Sequence, residues 1–177
     1  RLYDVSDPEN PVLRSTVMDG DLRYGDRRWL VCGLGLGGAD KPRLWKLDDD
    51  LQATLCGLFR TAIGVVNPVC IVGDHAYLFG QDRNDDPLIE VHDLSGIPRL
   101  VRTIRPGMIA RHIAQQGAQL IVAGNSWCQV YDVSTPSDPQ EVKRFYLGGE
   151  PVGIARNGNV ATICSNLVTV RTPASAA

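Results

Sequence analysis

The stretch Tyr131-Asp132-Val133-Ser134-Thr135-Pro136-Ser137-Asp138-Pro139 has a second copy near the other end of the chain, Tyr3-Asp4-Val5-Ser6-Asp7-Pro8-Glu9-Asn10-Pro11, and both read Y-D-V-S-x-P-x-x-P. Each copy sits between strand-like apolar runs. Proline has no N–H to give to a ladder, so the two prolines of each copy belong where the chain leaves one strand and turns into the next. In the D-x-S-x-P context Asp4 and Asp132 are placed to accept backbone N–H groups of the turn they open. A turn motif that recurs with its flanking strands marks a repeat unit.

Five strand-plus-turn segments align on this motif: 2–17, 44–59, 91–104, 130–147 and a shorter 167–173. With Asp4, Lys46, Asp93, Asp132 and Thr169 taken as equivalent, the spacings are 42, 47, 39 and 37 residues. Such a period fits a repeated four-stranded sheet. Before each of the last four segments comes a compact apolar run, at 29–32, 76–79, 120–123 and 160–164, and two of these follow the similar pieces 68–72 and 151–155. The runs Ala76-Tyr77-Leu78-Phe79 and Leu120-Ile121-Val122-Ala123 do not alternate apolar with polar, as a strand covered on both faces need not. No helical periodicity offers a cover, so the covering layers must be other sheets. Charged runs at 99–105 and 141–146 have the character of exposed outer strands, which resist stray pairing by carrying charge.

The expected architecture is therefore all-β: a β-propeller of small four-stranded antiparallel blades, about four of them or a piece of a larger ring. Residues 1–173 form a single domain in this reading and 174–177 a disordered tail. Residues 11–17 supply a fourth strand without a first and second, and 151–155 and 160–164 a first and second without a fourth. The two ends are thus expected to share one sheet. Segments 2–6 and 167–172 both compete for its third place, which 2–6 is expected to keep.

The doublet and its strand rhythm resemble the LVIVD-repeat group of β-propellers, in which the third strand of a blade runs into D-V-S-x-P-x-x-P before the fourth. Asp4 to Pro11 and Asp132 to Pro139 match closely, and His92-Asp93-Leu94-Ser95-Gly96-Ile97-Pro98 matches in part. Lys46-Leu47-Asp48-Asp49-Asp50 has lost the proline. The signature G-H turn and terminal W-D of WD repeats are absent. The resemblance implies a binding or scaffolding role more than any particular chemistry, because propellers host unrelated functions.

At 177 residues the chain can bury a substantial core without staples, and 44% apolar with 18 glycines and 11 prolines fits many short elements joined by turns. A net charge of -2 gives no global attraction to nucleic acid or to an anionic membrane, so neither is expected as a partner. The cysteines Cys32, Cys56, Cys70, Cys128 and Cys164 form no C-x-x-C and lie in apolar runs, which points to unpaired, mostly inaccessible core thiols and a cytoplasmic location. There is no signal-peptide pattern and no apolar stretch long enough to cross a bilayer. A start at Arg1 inside a strand is what a fragment of a larger polypeptide would show.

Candidate chemistry is sparse. Gly33-Leu34-Gly35-Leu36-Gly37-Gly38 satisfies G-x-G-x-x-G, but Lys41-Pro42 and a strand follow where a dinucleotide site needs a helix, so it reads as a loop. Asp82-Arg83-Asn84-Asp85-Asp86 begins like a calcium loop, yet Pro87 stands where the turn requires Gly and Asp93 where Glu is expected, leaving a solvated hairpin loop. Asp48-Asp49-Asp50 reads as a charged turn. His75, His92 and His112 lie in separate repeats without metal-ligand spacing, and Gly124-Asn125-Ser126-Trp127-Cys128 lacks the strand-to-helix turn of a nucleophile elbow. No catalytic, cofactor or metal residue emerges. The cluster Arg99, Arg102, Arg105 and Arg111 is the candidate contact for an acidic partner, against a plainer role in edge protection. The reading leans away from an enzyme, towards a recognition or scaffold module that contacts another protein or another domain of the same polypeptide. The competing reading is a propeller hydrolase, lyase or oxidoreductase with an axial site drawn from several blades.

Overall fold

The computed structural model describes residues 2–17, 21–33, 41–157, 160–165 and 169–173. The tail expected at 174–177 lies outside these, as does the glycine run beyond Gly33. All regular structure among the described residues is β. Strands β1 (Leu2–Asp4) and β2 (Val12–Ser15) form a two-stranded ribbon. The first four-stranded sheet comprises β3 (Leu22–Gly25), β4 (Trp29–Cys32), β5 (Arg43–Leu47) and β6 (Ala53–Leu58). The second comprises β7 (Val65–Val72), β8 (His75–Gln81), β9 (Pro87–Asp93) and β10 (Arg99–Ile104). The third comprises β11 (His112–Gln116), β12 (Gln119–Gly124), β13 (Trp127–Asp132) and β14 (Gln140–Tyr146). Strands β15 (Pro151–Asn157), β16 (Val160–Ser165) and β17 (Thr169–Pro173) form a three-stranded sheet. Each sheet is an antiparallel meander in chain order.

Local chemistry closes the hairpins. Gly73 and Gly117 take left-handed conformations at the start of the two-residue β7–β8 and β11–β12 turns, where a side chain would be strained. In the repeated motif the aspartates do what the sequence predicts. Asp4, Asp93 and Asp132 each accept the backbone N–H two residues on, from Ser6 at 3.0 Å, Ser95 at 2.9 Å and Ser134 at 2.8 Å. That bond, helped by Arg14, holds the Asp4 carboxyl down at about 2. The loop at Asp82 and the turn at Asp48 are built likewise: Asp82 Oδ1 accepts from Asn84 and Asp86, and Asp48 Oδ1 from Asp50 and Gln52.

The core is a series of apolar layers between successive sheets, and the second strands show why their sequences do not alternate. On β8, Ala76 and Leu78 face the layer shared with the first sheet, with Val31, Leu44 and Phe59. Tyr77 and Phe79 face the layer shared with the third, with Leu120, Val122 and Tyr131. On β12, Leu120 and Val122 enter one layer while Ile121 and Ala123 enter the next, beside Cys128 and Ile163. Each fully buried Leu, Phe or Ile contributes about 1.5–3 kcal/mol, which only a strand covered on both faces gains at every position. The outer strands β10 and β14 are exposed along nearly their whole length, as their charge predicts.

Register confirms the repeat and corrects its last member. Lys46, Asp93 and Asp132 pair with Trp29, His75 and Gln119, the first residues of their second strands. In the last sheet the residue opposite Val160 is Pro173, so Pro173 and not Thr169 is the equivalent. A bulge recurs at one place in the fourth strands, where Arg14, Cys56, Val101 and Val142 are each passed over by the partner strand. Bulges at that place twist the outer strand away from further pairing.

The expected sharing of a sheet by the two ends is not what the structure has. Among the described residues β1 and β2 pair only with each other, and Leu2 packs beside Leu30, Cys32 and Leu47 of the first sheet. Strand β17 keeps the third place beside β16 through five paired positions, where the short β1 could offer only three. The thiols are all free, with Cys32, Cys70 and Cys128 buried, Cys56 partly covered and Cys164 exposed. Burial pushes the Cys70 and Cys128 thiols up to about 11 and about 12. Cys164 departs from the expected inaccessibility because Ile163 takes the face turned to the third sheet, leaving the next residue on the opposite face.

Candidate functional site

Within the apolar third strand of the second sheet, Glu90 and His92 are two positions apart and so on one face. They are 1% and 0% exposed, and His92 Nε2 lies 3.1 Å from Glu90 Oε2. The N–H of Ala62, in the linker entering the same sheet, donates to Glu90 Oε1 at 2.9 Å. Burial raises the Glu90 carboxyl, but the bonds from His92, Thr61 and Ala62 outweigh it and the net displacement is downward. Phe59 meets the His92 ring edge-on at 5.2 Å.

A carboxylate against an imidazole is the pairing general acid–base chemistry uses, but such a group must reach the proton it moves. Here both partners are closed off. The third sheet shows what the pair does instead. Gln129 and Tyr131 occupy the places of Glu90 and His92 by register, and Tyr131 donates to Gln129 Oε1 at 3.3 Å. Gln129 Nε2 donates to the carbonyl of Pro106, in the linker entering that sheet, at 2.9 Å. In both sheets a buried polar residue of the third strand pins the incoming linker, with its neighbour two residues on as second support. The signal was present in the sequence as Glu90-Val91-His92 and Gln129-Val130-Tyr131, polar groups two apart inside apolar strands.

The four predicted arginines are exposed and each meets an acid of the chain itself. Arg99 lies 3.5 Å from Asp93, Arg102 2.6 Å from Asp138, Arg105 3.3 Å from Asp86 and Arg111 3.9 Å from Glu150. The first three follow β10 from its start to just past its end; Arg111 sits in the linker before β11 and turns to the linker before β15. Salt bridges so exposed contribute about 0–1 kcal/mol each. Of the other histidines, His75 on β8 shares the second sheet with His92 on β9, where separate repeats were expected, and His112 meets the Pro151 carbonyl through Nε2 at 3.1 Å, which ties β11 to β15.

The repeated turn also forms the joint between sheets. Arg102 of β10 reaches Asp138 in the turn of the third sheet, and Tyr77 donates to the Pro136 carbonyl of that turn at 2.6 Å. The fourth-strand place of Arg102 is held by Gly57 in β6, and a side chain there would press on Ile97 and Pro98 in the turn of the second sheet. In the ribbon, the Arg14 carbonyl accepts from Gln52 in the turn of the first sheet at 2.9 Å. Each turn thus rests on the fourth strand of the sheet before it.

Between the first and second sheets lies an open cleft of about 460 Å³ lined by Arg28, Trp29, Lys46, Cys56, Asp74, Leu94, Ser95 and Gly96. Arg28 bridges it, 2.9 Å from Asp74 and 4.9 Å above the Trp29 ring. Trp29 Nε1 and His92 Nδ1 are the buried side-chain nitrogens without a partner among the described residues. Among the described residues no three His, Cys, Asp or Glu side chains gather as a metal ion would need, and no helix is long and apolar enough to cross a membrane. Comparison with models of protein families and with curated proteins gives no match to this chain.

Proposed function

We propose that the chain is a β-propeller of the LVIVD-like kind and serves as a rigid recognition scaffold for another protein or another domain of the same polypeptide. The observation that carries the reading is the joint repeated from sheet to sheet. The first strands succeed one another in contact, β3 with β7, β7 with β11 and β11 with β15, while the fourth strands lie outermost. First strands inward and fourth strands outward is the radial order of blades about an axis. The turn of each sheet rests on the fourth strand of its predecessor, so the sheets hold one another in fixed relation.

On such a frame the arginines along β10 are held extended by acids while their guanidinium groups stay in solvent, with Arg99 76% and Arg105 65% exposed. Pre-ordering lowers the entropy lost when an acidic partner arrives, and arginine offers a planar fork for its carboxylates. The test is a comparison of affinity-captured proteins between the native chain and a variant with Arg99, Arg102 and Arg105 changed to Ala. Loss of a specific acidic protein at an unchanged melting temperature supports the reading, and identical retention across a salt series refutes the arginine contact.

A further inference from the structure

The copies Tyr3-Asp4-Val5 and Tyr131-Asp132-Val133 share sequence and register but not surroundings. Tyr131 and Val133 are each 2% exposed and lie in the layer between the second and third sheets, with Cys70, Val72, Tyr77 and Phe79. Tyr3 and Val5 are 45% and 62% exposed. Leu13 stands directly across the ladder from Tyr3, hence on the same face, and is 48% exposed. Leu2, on the opposite face, packs on the first sheet. The ribbon is therefore covered on the face turned to the sheet that follows it, and bare on the face that the third sheet turns to the sheet before it.

The last sheet is bare on the matching side. Tyr77 and Phe79 on β8, and Ile121 and Ala123 on β12, face the sheet that follows, and with Val160 aligned on His75 and Gln119 their places on β16 fall to Thr162 and Cys164. Cys164 is exposed, as is Ala155, which pairs with Thr162 from β15. Between them Ile163 faces the third sheet and is fully buried. These side chains are smaller than Tyr77 and Phe79, which leaves room for an incoming ring. We propose that copies of this chain associate head to tail, the Tyr3, Val5 and Leu13 face of one ribbon stacking on the Ala155, Thr162 and Cys164 face of the last sheet of the next copy. A second copy is the occupant because one chain carries both halves of the joint that it already makes internally between its second and third sheets. The contact joins unlike faces, so copies that close on one another form a ring and copies that do not form a longer stack. It uses none of the arginines of β10, so either assignment stands if the other fails.

The experiment is sedimentation velocity of the native chain from about 1 μM to about 1 mM, where association beyond the monomer is expected as the concentration rises. Val5→Asp and Cys164→Arg each alter one half of the contact at an exposed position, so each should keep the native melting temperature. Each should weaken self-association by about ten-fold or more, because it places an unpaired charge where an apolar face must lose its water. Mixing the two separates this contact from any other. The Val5→Asp copy keeps an intact last sheet and the Cys164→Arg copy an intact ribbon, so an equimolar mixture should regain dimers and grow no further. In the native chain, labelling of Cys164 should slow as the concentration rises. The proposal is overturned if the native chain stays monomeric throughout, if either variant self-associates as the native chain does, if the mixture fails to regain dimers, or if the labelling rate of Cys164 is independent of concentration.

Discussion

Changing Glu90 tests whether the buried acid is a structural pin. Glu90→Ala removes the acceptor of the Ala62 N–H and the partner of His92, in a place where Glu90 is 1% exposed and water does not replace them. Breaking a buried pair from one side costs about 3–5 kcal/mol, because the surviving group stays buried and uncompensated. Glu90→Gln keeps a carbonyl for Ala62 and copies the neighbouring sheet, where Gln129 does the same work, so it should cost only about 1–2 kcal/mol. The two variants differ also in acid. The folded-state carboxyl of Glu90 lies below its ordinary 4.5, so its stabilisation is complete above that value and is lost as pH falls through the folded value. Urea unfolding at pH 7 and between pH 5 and pH 3 measures both effects. The native chain should lose more stability over the acid range than Glu90→Gln. Equal costs for the two substitutions at pH 7, or an unchanged acid limb in Glu90→Gln, would refute the pinning role.

Three further outcomes follow from the joints and the packing. Tyr77→Phe deletes the bond to the Pro136 carbonyl between the second and third sheets and should lower stability by about 1 kcal/mol in urea melts, with no change in the slope. Gly124→Ala would drive a methyl into the backbone carbonyl of Ile109, costing about 2–4 kcal/mol through overpacking and loss of the adjoining Arg111–Ala123 bond; Gly117→Ala, with open space but a positive φ, should cost about 1 kcal/mol. Thiol labelling of the native chain should modify Cys164 first and Cys56 next, leaving Cys70 and Cys128 for the unfolded state; early reaction of Cys70 would contradict the layered core.

The layered all-β order was legible because it rests on patterns that physics makes obligatory. Leu120-Ile121-Val122-Ala123 has no polar position because both of its faces are covered, and Arg99 to Arg105 is charged because its edge is not. The aspartate of D-x-S-x-P was equally plain, since its partner is two residues away. What sequence did not show depends on distant pairing. The choice of β17 over β1 beside β16 turns on ladder length, and the slip of the last repeat from Thr169 to Pro173 turns on register, neither of which composition records. The arginines were noticed as a cluster, but their separate acids come from different places: Asp93 from the end of β9, Asp86 and Asp138 from two loops and Glu150 from a linker.

The same distinction explains why the second motif of the repeat was harder to see than the first. In the turn, the aspartate must accept an N–H at a fixed local geometry, and few side chains other than Asp reach it. At the third-strand pin the requirement is only that a buried polar atom meet the linker. A carboxylate meets it by accepting from Ala62, and an amide meets it by donating to Pro106. The support two residues on can then be an imidazole or a phenol, provided its hydrogen bond complements the pin. In the first sheet Arg43 and Trp45 stand in these two places by register. A position defined by geometry but open in chemistry passes from Glu to Gln without losing its role. It is therefore at these pins, rather than at the conspicuous prolines, that one sheet can be altered independently of the next.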